Sequence, residues 1–229
     1  MPRYHKRFEK KEIKKDEFAE TIEKALGVWE TYGRQIVGVV LLVAIAAVIA
    51  VFAIRARKEA QLSAQTVLAK ANMDAGSGNL SAALAKYADV IAKYRGTWAH
   101  SDAVFFAANA HFYSGSYDSA IVFYDRYLSL KKRRPEFTIS AKVGKAQCFE
   151  ETGRYKEALD YYLQVERENP ENPLACDALL GAARCYRNLQ EYDLAAKTYR
   201  ELIEKHPESS EAEIARVFLL EVEAILESK

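Results

Sequence analysis

The sequence predicts an all-α protein: an N-terminal helix, a single transmembrane helix, then an α-solenoid of about four helical hairpins closed by a capping helix. Three observations predict it. Residues Ile36 to Ile54 hold no charged or polar side chain, a pattern built on alanine and tyrosine recurs four times at spacings of 37, 38 and 37 residues, and one further amphipathic stretch follows the last copy. The expected domains are 1–35, a charged helical tail; 36–54, the transmembrane helix; 55–62, a juxtamembrane linker; 63–208, the repeats; and 209–229, the capping helix.

The tail carries nine basic and seven acidic residues. Phe18, Ile22, Ala25 and Trp29 form a narrow apolar stripe on it at helical spacing, suited to a membrane surface or a partner helix, or to a solvated helix with a few anchors near the interface. The next nineteen residues, "IVGVVLLVAIAAVIAVFAI", reach about 28 Å as a helix, close to the ~30 Å hydrocarbon core of a bilayer. A buried core helix would carry a polar face. A cleaved signal peptide would have a shorter charged region and a small-residue cleavage site, whereas "RARKEA" follows here. Cations next to the span nearly tie, three in residues 15–35 against four in 55–75, but the nine in the short tail disfavour its translocation. The tail is therefore expected in the cytoplasm and the repeats on the other side. Ala46, Ala50 and Ala53 make a small-residue stripe along the span.

The repeat is legible as four aligned copies. Their anchors are Gly78, Gly115, Gly153 and Gln190. An alanine follows each anchor by five residues (Ala83, Ala120, Ala158, Ala195) and a tyrosine by nine (Tyr87, Tyr124, Tyr162, Tyr199). Val90, Tyr127, Val165 and Leu202 come three residues later, so these spacings put all three positions on one helical face. A hairpin of two such helices cannot bury its own apolar face, and a stack of hairpins can. The alanine permits close helix approach, and the tyrosine fills the space beside it. Pro170 and Pro207, each 17 residues past an anchor, mark where a second helix stops. Beyond Pro207, Ser210 and Glu213 stand at capping-box spacing for the last helix.

This pattern, G-x-Y-x-x-A-x-x-x-Y, resembles the tetratricopeptide repeat over residues 63–207. The second helices match best. In the first helices Val104, Lys142 and Leu179 replace the family's aromatic, and Ala108, Ala146 and Ala183 its small residue. The period of 37–38 exceeds the usual ~34 residues, so loops or helices are longer. The resemblance implies a concave protein-binding groove lined by Asn72, Phe105, Asn109, Phe112, Gln147, Leu180, Arg184 and Arg187, with Leu68 and Val143 between them. Phe105 and Phe112 serve equally as inter-repeat core. Some members clamp a peptide carboxylate with lysine and asparagine. Asn72 and Asn109 match the asparagines, but Leu68 and Phe105 occupy the lysine positions, so no clamp is inferred.

Nothing in the sequence carries catalysis or a cofactor. His5, His100, His111 and His206 are scattered, and none forms a metal-binding i, i+4 pair. "AGSGN" at 75–79 follows no strand and lacks a lysine, so it reads as an inter-helix turn rather than a phosphate cradle. Cys148, Cys176 and Cys185 form no C-x-x-C pair, and nine residues of helix put Cys176 and Cys185 on opposite faces, as for inert buried thiols. The formal charge of residues 59–229 is −4, which gives no footprint for nucleic acid. The run "KKRR" at 131–134 is a solvated loop, or a contact for anionic headgroups or an acidic partner.

The whole layout is similar to a bacterial envelope family with a short cytoplasmic tail, an uncleaved anchor and a periplasmic tetratricopeptide domain, which includes the ancillary subunit of the Sec translocon. That resemblance implies a non-enzymatic interaction scaffold in the inner membrane, partnered by the bilayer and by other proteins, with no cofactor or small-molecule substrate, and linked to translocation or envelope assembly. The alternative is an accessory subunit bolted permanently to one multi-subunit membrane complex, respiratory, photosynthetic or other.

Overall fold

The computed structural model describes the backbone of residues 9–228 and side chains from Phe18 onward. The tail's first eight residues, with His5, and Lys229 at the end of the capping segment lie outside the described residues. The chain divides into two compact units, Met1–Arg57 and Lys58–Lys229.

Helix α1 runs from Glu9 to Gly76 and includes residues 55–62, which are helical. It is long and apolar enough to cross a membrane. Within the first unit the side chains of 36–54 are not covered by other parts of the chain: Leu42 and Phe52, for example, are each 69% exposed. That is the opposite of a soluble core helix.

The second unit is a stack of antiparallel helices. After the end of α1 come α2 (Leu80–Lys93), α3 (Trp98–Tyr113), α4 (Tyr117–Ser129), α5 (Pro135–Glu151), α6 (Tyr155–Glu168), α7 (Leu174–Asn188), α8 (Tyr192–Lys205) and α9 (Ser210–Glu227). These make the four expected hairpins and the closing helix, and no strand occurs among the described residues.

Each hairpin turns through the same backbone device. The anchor residue sits in the left-handed region, with φ +83° at Gly78, +75° at Gly115, +73° at Gly153 and +62° at Gln190. Its amide and the next one then bond back to the orphan carbonyls of the first helix: Gly115 N–H to Phe112 O at 2.9 Å and Ser116 N–H to His111 O at 2.9 Å, with the same pair of bonds at the other three turns. This is a Schellman closure, which satisfies helix-end carbonyls inside a tight turn. "AGSGN" is the first of these turns.

The repeated side chains are the core. Ala83, Ala120, Ala158 and Ala195 are fully buried, and Tyr87, Tyr124, Tyr162 and Tyr199 nearly so. Each tyrosine faces the first helix of the following unit at one equivalent position: Phe106, Gly144, Gly181 and Phe218. Tyr87 stacks on Phe106 with centroids 6.2 Å apart, and Tyr199 packs on Phe218 at 6.0 Å. At Gly144 and Gly181 the ring instead occupies the space a Cβ would need. Helix α9 thus stands in register as the first helix of a fifth unit.

One boundary differs from the sequence expectation. Ser209, not Ser210, caps α9: it has extended backbone (φ −77°, ψ 152°), and its hydroxyl accepts the Ala212 N–H at 3.0 Å. Ser210 is already helical, and Glu213 pairs with Arg216. The three cysteines are free and buried. Cys176 and Cys185 belong to different core clusters on opposite sides of α7, as their spacing requires.

Candidate functional site

Two adjoining clefts lie along the first-helix side of the solenoid. The first, about 390 Å³, is lined by Asn72, Tyr87, Phe106, Asn109 and Tyr113, with Ala75, Leu80 and Ala110 between them. The second, about 200 Å³, is lined by Phe105, Asn109, Phe112, Tyr113, Gln147 and Asp177 among others. Asn109 and Tyr113 belong to both, and Tyr113 is 75% exposed between them.

The asparagines are oriented by the repeat itself. The Tyr87 hydroxyl donates to Asn72 Oδ1 at 2.8 Å, and the Tyr124 hydroxyl donates to Asn109 Oδ1 at 2.7 Å, each across 15 residues. With both carbonyl oxygens engaged, each Asn Nδ2 is left as a donor without a protein partner among the described residues. Burial pushes the Tyr87 hydroxyl up to about 12, with the Asp74 charge adding to the effect, so it stays a proton donor.

The same register then changes chemistry. Gln147 holds the third equivalent position and Arg184 the fourth. Arg184 reaches back to Glu150 with two hydrogen bonds, Nε–Oε1 at 2.7 Å and Nη2–Oε2 at 2.9 Å. Tyr162 donates to the same carboxylate at 2.8 Å. Arg187 pairs with Glu221 and lies over the Phe218 ring at 4.5 Å. Both arginines are therefore occupied internally, and Leu180, 5% exposed, is core. None of the three lines either cleft. Phe105 is 6% exposed and stacks on Phe137 with centroids 4.7 Å apart, so it forms cleft floor and core together. Leu68 and Val143 are buried, and Phe112 is half-buried at the cleft wall. Sequence reasoning missed Tyr113, Phe106 and the tyrosine–asparagine pairs. The constant 15-residue separation of Tyr87 from Asn72 and of Tyr124 from Asn109 was the available signal.

The only charged group in either lining is Asp177, whose carboxyl burial pushes upward, helped by the Glu211 charge. The first cleft is mostly apolar and the second more polar, so together they suit an extended segment with apolar and polar side chains and free backbone carbonyls, which the two asparagine amides can receive. Among the described residues no group of three or more His, Cys, Asp or Glu is placed to hold a metal. His111 instead packs on Phe123 at 5.1 Å, and the His100 ring sits against the Ile91 carbonyl, Nδ1 to O at 3.1 Å.

Sequence profiles described as tetratricopeptide repeat match residues 68–136 and 140–173, and a second such profile matches 177–209. Among solved structures, a tetratricopeptide repeat protein from Parabacteroides merdae ATCC 43184 superposes with a TM-score of 0.61 at 20% identity, over 72% of this chain and 62% of that one. MamA from Desulfovibrio magneticus RS-1 superposes with a TM-score of 0.55 at 14% identity, over 72% of this chain and 96% of that one. At such identities the likeness is one of fold. No curated protein matches the chain.

Proposed function

This chain belongs to the tetratricopeptide-repeat family, and from that premise we propose that it is a membrane-anchored scaffold whose paired clefts hold an extended segment of a partner protein. The observation that carries the reading is the Asn72–Asn109 pair: two preoriented amide donors, one repeat apart, in adjoining clefts of which the first is mostly apolar. A segment crossing both clefts would give its backbone carbonyls to the amides and its side chains to the pockets floored by Phe105 and Phe106. The protein acts by binding, not by catalysis. Residues 36–54 anchor it in a bacterial inner membrane, with the tail cytoplasmic and the repeats periplasmic. That placement suits a scaffold beside a translocation channel or in envelope assembly.

The test is a photo-crosslinking amino acid at Tyr113 in the full chain, expressed in its native membranes, with adducts identified by mass spectrometry. The expected result is a discrete protein adduct. Its yield falls when Asn72 and Asn109 are both replaced by alanine, because two amide hydrogen bonds at about 1 kcal/mol each weaken binding roughly thirtyfold. Urea melts of the same variant check that the fold survives. No adduct, or one indifferent to both asparagines, rules out the clefts as the binding site. Substoichiometric channel subunits or chaperones among the adducts support the translocation-linked scaffold, whereas a single stoichiometric membrane complex makes the chain a fixed subunit.

A further inference from the structure

We propose that the loop edge formed by residues 94–98 and 130–134 is a docking face for a bilayer rich in anionic phospholipid. The inference rests on the reading of residues 36–54 as a membrane anchor and adds a second, electrostatic contact to it.

The loops that join one hairpin to the next differ sharply in charge along the solenoid. The first two, 94–97 and 130–134, hold Arg95, Lys131, Lys132, Arg133 and Arg134 and no carboxylate; the last two, 169–173 and 206–209, hold Glu171 and Glu208 and neither lysine nor arginine. The two basic loops form one surface. Lys132 Nζ donates to Gly96 O at 2.8 Å and lies 4.9 Å from the centre of the Trp98 ring. The Tyr127 hydroxyl pins the second loop by donating to Arg134 O at 2.7 Å. Arg134 is neutralised by Asp102, but Arg95, Lys131, Lys132 and Arg133 have no acidic partner among the described residues. Trp98, 41% exposed, lies on this edge under Lys132 and, at 5.7 Å, the Asp102-paired Arg134.

An exposed tryptophan on an edge that carries unpaired cations is the side-chain chemistry of a membrane–water interface: the indole sits at headgroup depth and the cations meet lipid phosphates. Chain connectivity supplies the second argument. The backbone N–H of Trp98 donates to Gln61 Oε1 at 3.1 Å. Gln61 is seven residues past Ile54, so no conformation of that segment can carry it more than ~25 Å from the end of the apolar run. The basic edge is thus tethered close to the headgroups, while the acidic loops lie two hairpins further along the stack. A tethered cationic edge meets lipid at high effective concentration, which favours the bilayer over an acidic protein as occupant.

The experiment uses the full chain with Trp29→Phe, leaving Trp98 as the sole tryptophan, in nanodiscs of neutral phosphatidylcholine or of the same lipid with phosphatidylglycerol. Some lipids carry bromine near the head of the acyl chain. Trp98 emission is expected to be blue-shifted and quenched in the anionic discs, with at least about twofold more quenching than in neutral ones. Raising the salt to about 1 M, where the Debye length falls to ~3 Å, should erase most of that difference. Arg95→Gln, Lys131→Gln and Lys132→Gln together should do the same. Equal emission in both discs from a chain that resists alkaline extraction overturns the lipid face and leaves the anchor standing. A chain stripped from membranes by alkali overturns the anchor reading itself. Emission that responds only to added acidic membrane proteins, and not to lipid, replaces this proposal with a protein interface.

Discussion

A Cβ built on Gly181 would stand 2.5 Å from Tyr162 Cζ and 2.6 Å from Cε2. The ring cannot retreat, because its hydroxyl is held by Glu150 at 2.8 Å and its face is buried. Glycine inside a helix ordinarily costs ~1 kcal/mol relative to alanine, so Gly181→Ala would stabilise an unencumbered helix. Here the clash outweighs that gain: the net effect should be a loss of about 1–3 kcal/mol. Urea unfolding of the full chain in detergent should show a lower midpoint with an unchanged m-value. A midpoint at or above that of the parent would mean that Tyr162 swings aside and that the glycine is not required. The neighbouring positions make the same point in reverse. Phe106 and Phe218, equivalent to Gly181 in other units, stack beside their tyrosines instead of yielding to them.

Each hairpin is closed by one left-handed residue, and three of the four are glycine. Gln190, at φ +62°, adopts the same conformation with a side chain, which costs roughly 1 kcal/mol. Gln190→Gly should recover about half of this after glycine's greater unfolded-state entropy is counted, raising the Tm by ~1–2 °C for a domain of this size. A lowered Tm would mean that the glutamine side chain makes a contact worth more than the strain. The turns and second helices were readable in the sequence because glycine, alanine and tyrosine there serve purely local geometry at fixed spacing. The first helices were less readable, since each packs on its own partner and on the hairpins to either side. Phe105 and Leu180 match groove positions, yet stacking places both in the core. Arg184 and Arg187 fit the register of Asn109 and Phe112, yet partners 34 residues away in sequence, Glu150 and Glu221, take them up. Such pairings depend on the superhelical stacking and leave no local mark. At α9 the choice between Ser209 and Ser210 turned on which serine is extended, which two adjacent serines do not reveal.

Across the whole molecule the recurrent tyrosines make stability sensitive to alkali. Burial raises the hydroxyls of Tyr87, Tyr127 and Tyr199 to about 12 from an ordinary 10.0. Tyr124 and Tyr162 are pushed further up, again chiefly by burial. A raised folded-state value means that the unfolded chain gives up these protons first. The contribution is therefore complete below pH 10 and is lost as pH climbs through 12 and beyond. Because the five residues sit in α2, α4, α6 and α8, the loss falls on all four hairpins together. In a stack stabilised by nearest-neighbour contacts that should unfold the domain over a narrow range. Helical circular dichroism followed with tyrosinate absorbance should show two tyrosinate steps, a first from exposed side chains such as Tyr113 with the helices intact and a second, at higher pH, that coincides with loss of helix. Cys148 and Cys185, pushed to about 12 by burial, should react with a thiol reagent only as that transition proceeds. Full tyrosinate absorbance, from all fourteen tyrosines, with a midpoint near 10 while the helices remain intact would show the five buried rings to be accessible, and the tyrosine-to-next-helix packing would then not be what holds the repeats together.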